Sequence, residues 1–137
     1  MNPEPAEKSV TDTRGIASPL IQLRGHTYED HREIVPVLLD TMAGCGCWLL
    51  EQRVVSPTAT ELRFELLLRS VFDLYSGLLS SGVDLSRDSH TRMKSLCTVR
   101  DHNPHHSKRR RILTIRLELI FMDELESALA RTTVGRA

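Results

Sequence analysis

The chain has 137 residues, of which 40% are hydrophobic, 26% charged and 4% aromatic, and its formal net charge is zero. This length predicts one domain that needs no metal or disulfide for stability, and the balanced charge excludes a protein that coats nucleic acid with its whole surface. Three cysteines cannot all pair within one chain, and no signal peptide or membrane-spanning run is visible, so we expect free thiols, a cytoplasmic location and no membrane contact.

The first part of the chain predicts a tail, a strand and a helix. Residues 1–17 are polar and contain two prolines, which predicts a disordered N-terminal tail before a single domain at 18–130. Leu20 to Gly25 form a predicted strand, and an apolar stripe at helical spacing follows it. Thr27, with Asp30 three positions later, resembles a capping box, but Pro36 favours a helix start a few residues further on.

A hairpin and a second helix follow. Cys47–Val55 and Thr60–Leu66 predict two strands that are joined by the short polar turn at 56–58. The second of these strands alternates strictly between apolar and charged residues. From Leu68 to Leu79 the apolar residues recur at i, i+3, i+4, i+7, i+10 and i+11, which predicts an amphipathic helix that Gly82 ends.

The last third of the chain is less regular. It predicts a loop at 84–89, a strand at Met93–Val99 and a long strand at Ile112–Met122, whose odd-numbered residues are all apolar. Asp123–Ala130 predicts a short closing helix, and residues 131–137 predict a flexible C-terminal tail.

This order of elements predicts an α+β fold of the ferredoxin-like βαββαβ type. A four-stranded antiparallel sheet with both helices on one face would bury every apolar stripe. The opposite face of the sheet should then be exposed to solvent and carry charged side chains that pair across the strands. The residues expected there are Glu51, Arg53, Glu61, Arg63, Glu65, Arg116 and Glu118.

The same order supports a resemblance to a known family. A first strand that ends in Gly25, an immediate helix, the small-residue turn at 43–46 before Trp48, a hairpin and a second helix together resemble the ACT domain, a ferredoxin-like regulatory module, over about residues 20–82. The resemblance implies a non-enzymatic module that binds an amino acid or similar small molecule between two domains, at Gly25, His26 and Thr27. Backbone N–H groups at the helix start could hold a carboxylate there. The alternative is that the glycine only makes a tight turn.

A basic segment supports a second hypothesis. From Arg87 to Arg116 there are nine Lys or Arg residues against two Asp or Glu, a local charge of +7. Within this segment a run of four adjacent cations predicts contact with nucleic acid or another polyanion. Base stacking is disfavoured, because the solvent-exposed face of the sheet has few aromatic residues. The alternative is that the run keeps the apolar strand after it from aggregating. The four cations are Lys108, Arg109, Arg110 and Arg111.

Cysteines and histidines do not predict a metal, a cofactor or a catalytic residue. Cys45 and Cys47 are separated by one residue, whereas structural zinc sites favour two to four. A third hypothesis, a small enzyme with His26 or His102 as general base, lacks a partner group for either histidine.

The apolar end of the last strand predicts self-association. Residues 119–122 are apolar on both sides of that strand, and one layer of helices cannot cover both sides. We therefore expect a homo-oligomer, most simply a dimer.

Overall fold

The computed structural model describes residues 20–101 and 111–135, with side chains up to residue 130. Its strands are β1 (Leu20–Thr27), β2 (Trp48–Ser56), β3 (Ala59–Leu67), β4 (Asp84–Leu85) and β5 (Ile112–Phe121). Its helices are α1 (His31–Gly44), α2 (Val71–Ser80, after a 3-10 turn at Leu68–Ser70), α3 (Arg87–Asp101) and α4 (Met122–Gly135). The predicted tail at 1–17 lies outside the described residues.

The strands form one mixed sheet in the order β2-β3-β5-β1-β4. Strand β1 runs parallel to β5, and the other neighbouring pairs are antiparallel. The predicted α+β class is therefore confirmed, whereas the predicted antiparallel sheet is wrong. The element order also departs from the ferredoxin-like βαββαβ pattern, because β4, α3 and α4 are additional.

Helix α3 occupies the segment in which a strand was predicted at Met93–Val99, and that prediction is wrong. Ser86 begins the helix as its cap: its Oγ accepts a hydrogen bond from the Ser89 N–H at 3.2 Å, and its carbonyl accepts one from the His90 N–H at 2.8 Å. The β-branched residues near its C-terminal end favoured a strand locally, but the cap and the packing of Met93 into the core favour a helix.

The core lies between the sheet and the helices. Alternate residues of the three central strands are buried, and they share one apolar cluster with residues from α1, α2 and α3. Leu117 at the centre of β5 and Leu74 in the middle of α2 are both fully buried. Burying each such side chain contributes about 1.5–3 kcal/mol before the loss of conformational entropy.

The start of α1 differs from the predicted capping box. Asp30 is the N-cap residue, and its carboxylate accepts a hydrogen bond from the Arg32 N–H at 2.8 Å. Thr27 instead ends β1, fully buried, where its Oγ1 accepts a hydrogen bond from the Glu29 N–H. Pro36 lies at the sixth residue of the helix, beyond the first turn.

The outer edge of β1 is covered by β4 and by polar groups from the start of α3. The Arg24 N–H donates to Ser89 Oγ at 2.8 Å, and the Arg24 carbonyl accepts from the Ser86 N–H at 2.9 Å. Further along the strand, the Arg92 guanidinium donates to the Gln22 carbonyl at 2.5 Å. These groups take the backbone positions that another strand would otherwise use, so they close this edge of the sheet.

Gly25 lies inside β1, where β4 crosses close to it. A Cβ at this position would stand 2.7 Å from Val83 Cγ1 and 3.2 Å from the Asp84 carbonyl oxygen. Glycine is therefore required for the close approach of two strands.

We expect the Gly25→Ala variant to be destabilised by about 1–3 kcal/mol, because the added methyl group clashes with Val83 and with backbone. Urea denaturation measures the change. Gly44→Ala is the matched control, since nothing lies within 4 Å of its Cβ position at the end of α1. Equal stabilities of the two variants would contradict the close approach.

We expect Ser89→Ala to cost about 1–3 kcal/mol, because it leaves the Arg24 N–H without its acceptor. The free energy of unfolding and the hydrogen-exchange rate of the Arg24 amide both measure this loss. Ser95→Ala, an exposed serine on the same helix, provides the control. An unchanged exchange rate in the Ser89 variant would show that α3 does not close the edge.

Candidate ligand-binding groove

The sheet face opposite the helices carries charged side chains in two neighbouring rows. The first row runs across four strands as Arg53, Glu61, Glu118 and Arg24, and the second as Glu51, Arg63, Arg116 and Gln22. We call these eight residues the charged face. The prediction of a charged sheet face with cross-strand pairs is confirmed.

Ion pairs connect the strands along this face. Arg53 contacts Glu61 at 2.6 Å, and Arg24 contacts Glu118 at 2.9 Å, both within the first row. Arg116 reaches from the second row to the other carboxylate oxygen of Glu61 at 3.2 Å. Glu61 therefore holds two guanidinium groups, and its side chain is only 15% exposed. Its hydrogen bond raises the pKa of the Arg53 guanidinium above the ordinary value.

Like charges stand directly opposite each other at the centre of the sheet. Glu61 pairs in register with Glu118, and Arg63 pairs with Arg116. Directly opposed like charges destabilise a strand pair, so each of these four groups depends on another partner for neutralisation. The ion pairs supply those partners, because Glu61 contacts Arg53 and Arg116, Glu118 contacts Arg24, and Arg63 contacts Glu51.

A groove of about 520 Å³ follows the first row from β2 to the start of α3. Four arginines, three carboxylates and two serine hydroxyls contribute to its walls, which gives a net charge of +1. Its lining residues are Gln22, Leu23, Arg24, Arg53, Val55, Glu61, Ser86, Asp88, Ser89, Arg92, Arg116 and Glu118. Its volume lies within the range of small-molecule sites.

The two serine hydroxyls of the groove lining are already hydrogen-bonded within the protein. No cysteine or histidine is among the groove's described lining residues. Its two serine hydroxyls bond to each other at 2.9 Å, and Ser89 also accepts from backbone, so neither is paired with a general base. Its arginines and carboxylates can instead bind carboxylate and ammonium groups of a ligand.

The three predicted ligand-binding residues do not converge on one point. Gly25 is buried beneath β4, Thr27 is buried in the core, and only His26 is partly exposed, with its Nε2 3.6 Å from Asp84. The helix start that follows is already occupied by the Asp30 carboxylate. Ligand binding by these residues stays a prediction, and the groove lies beside them along β1.

The predicted polyanion contact falls mostly outside the described residues. Of the four basic residues, only Arg111 is described; it is exposed, and its carbonyl accepts a hydrogen bond from the Leu68 N–H at 2.8 Å. Lys108, Arg109 and Arg110 lie in the undescribed segment 102–110, as does His102.

All three cysteines are free thiols whose pKa values are raised by burial. The shift is largest for Cys47, whose pKa rises to about 12. These thiols therefore stay protonated at neutral pH and are poor nucleophiles and metal ligands.

Among the described residues, three side chains of types that can bind a metal ion lie close together. The sequence did not predict this cluster. Donor atoms of Asp30, His31 and Glu124 lie within 4.8 Å of one another. They already have partners: Asp30 caps α1, and His31 Nδ1 contacts the Glu124 carboxylate, which connects α1 to α4. The hydrogen bond from the Arg32 N–H lowers the pKa of Asp30. We interpret the cluster as a helix–helix contact.

Sequence reasoning missed the groove wall contributed by α3. Ser86, Asp88 and Ser89 fell in a predicted loop, and Arg92 directly preceded the predicted strand at Met93–Val99. A signal was present, because a serine followed by an acidic residue in the next turn is typical of a helix start. Arg24 was missed because its position opposite Glu118 depends on a strand pairing across most of the chain.

No protein-family model, curated protein or solved structure gives a significant match to this chain. Among the described residues, no helix has the length and apolar character required to cross a membrane.

We expect iodoacetamide to alkylate Cys47 far more slowly in the folded protein than in urea at pH 8. Raising its pKa from 9.0 to about 12 lowers the thiolate population roughly 1,000-fold. Because the folded state keeps this proton longer, the free energy of unfolding should also fall as the pH rises from 9 towards 12. Mass spectrometry measures the alkylation, and equal rates in the two states would contradict the shift.

Proposed function

We propose that this chain is a non-enzymatic binding module whose groove takes a small zwitterion of the acidic amino-acid type. The observation that carries the proposal is the groove lining, where four arginines face three carboxylates. A ligand with two carboxylates and one ammonium group has a net charge of −1, which is opposite to the groove's net charge of +1. Its carboxylates would bind the arginines, and its ammonium group would bind a carboxylate.

The position of the groove supports this proposal. It crosses the sheet where Glu61 and Glu118 stand opposite each other, with Arg24 and Arg53 at the two ends of the row. An ammonium group between the two glutamates would reduce their repulsion, while carboxylates would approach the terminal arginines. The β-strands and the capped start of α3 hold these groups on rigid backbone, which lowers the cost of ordering them on binding.

The family resemblance agrees with this class of ligand, since it also implies an amino-acid-like molecule and a regulatory role. The proposal moves the ligand from the three predicted residues of β1 to the adjacent sheet face. A cytoplasmic location is part of the proposal, and the three free thiols support it.

Calorimetric titration with aspartate, glutamate, a neutral amino acid and inorganic phosphate tests the proposal. We expect the acidic amino acids to bind more tightly than the neutral one or phosphate. Arg24→Gln and Arg53→Gln should each weaken that binding about 10- to 100-fold, because each removes a charge-assisted hydrogen bond of about 1.5–3 kcal/mol.

Arg63→Gln is the matched control, because this arginine lies on the same face but outside the groove lining. It should leave the affinity almost unchanged. Absence of binding by every probe would refute the proposal, and so would an Arg63→Gln effect as large as that of Arg24→Gln.

A further inference from the structure

The two edges of the sheet differ in whether their backbone groups are paired. At the β1 side, the short β4 and the polar groups of α3 close the edge. At the other side, no described strand pairs with the outer edge of the nine-residue β2. This strand contains no proline, and Leu50 and Val54 on it are 49% and 72% exposed. An open edge without proline that carries exposed apolar side chains favours pairing with another strand.

The sequence of β2 is complementary to itself. In an antiparallel pair of two copies with Gln52 opposite Gln52, each Glu51 stands opposite Arg53 of the other copy. In the same register, the exposed Val54 lies next to the segment around Leu50 of the other copy, where β2 has an irregularity between Leu49 and Glu51. Glu51 and Arg53 both belong to the charged face, so the paired charges would lie on the same side of the joined sheet.

Neighbouring symmetric registers of the β2–β2 pair would be less stable. A pair centred on Glu51 would place two glutamates opposite each other, and a pair centred on Arg53 would place two arginines opposite each other. Like charges directly opposite destabilise antiparallel strands, whereas opposite charges stabilise them. Charge complementarity therefore selects Gln52 as the centre of symmetry.

From these observations we infer that β2 pairs with β2 of a second copy of this chain, in the antiparallel register centred on Gln52. The assembly is a closed dimer, because each copy supplies one open edge and the two-fold axis uses both. Register shifts in the β2–β3 pairing at Leu49/Glu51 and Val54/Ser56 bound the regular segment and restrict the pairing to a short stretch.

This interface differs from the one that the sequence predicted. The apolar end of β5 does not provide it, since Leu119 and Phe121 are buried and Ile120 is partly buried within one chain. The inference is also independent of the proposed ligand, because pairing needs no occupied groove.

Charge reversal in the two copies tests the register. Glu51→Arg and Arg53→Glu each place like charges opposite each other in the homodimer, so each variant alone should dissociate at least about tenfold more readily than the unmodified chain. Mixing the two variants restores both opposite-charge pairs and should yield a heterodimer. Sedimentation over a wide concentration range measures this, because a single strand pair makes a small interface.

Circular dichroism must show that each variant is folded, because each reversal also places like charges opposite each other within the chain, at Arg63 or at the largely buried Glu61. Val54→Lys offers a second route to dissociation that leaves the charges and the groove lining intact, with the exposed helical Val37→Lys as its control. The inference is overturned if the unmodified chain stays monomeric, if either charge variant alone still dimerises as the unmodified chain does, if the mixture forms no heterodimer, or if Val54→Lys has no more effect than Val37→Lys.

Discussion

The position of β5 between β1 and β3 determines most of what this molecule presents to solvent. Pairing with β1 in parallel and with β3 in antiparallel orientation buries one side of β5 under the helices. The same pairings bring the charged side chains of distant segments into the rows of the charged face. Because β5 is central, β2 and the β1–β4 side become the edges of the sheet.

Some residues that complete the edges of the sheet also line the groove on the charged face. Strand β1 requires glycine at position 25 so that β4 can approach, and α3 then satisfies the remaining backbone groups of that edge. The serines that begin α3 also form one wall of the groove, so closing this edge and building the site depend on the same residues. At the opposite edge, β2 contributes Arg53 to the groove, and no described strand pairs with its outer side, which is where we propose that a second copy binds.

Local patterns predicted the elements better than their arrangement. The β2–β3 hairpin, the strict alternation of β3 and β5, and the stripe of α2 were visible because they depend on residues close in sequence. The parallel pairing of Leu23 with Leu117 was not, since many registers and strand orders bury the same apolar residues. For the same reason the charged side chains were predicted to share a face, but the groove that α3 completes was not predicted.

The contacts of Leu117 test the central position of β5 most directly. In an NMR spectrum of isotopically labelled protein, backbone nuclear Overhauser effects should connect Leu117 to the neighbourhood of Leu23 on one side and of Leu62 on the other. Their pattern should be that of a parallel pair with β1 and an antiparallel pair with β3. Contacts to a single neighbouring strand, or an antiparallel pattern with β1, would contradict this account.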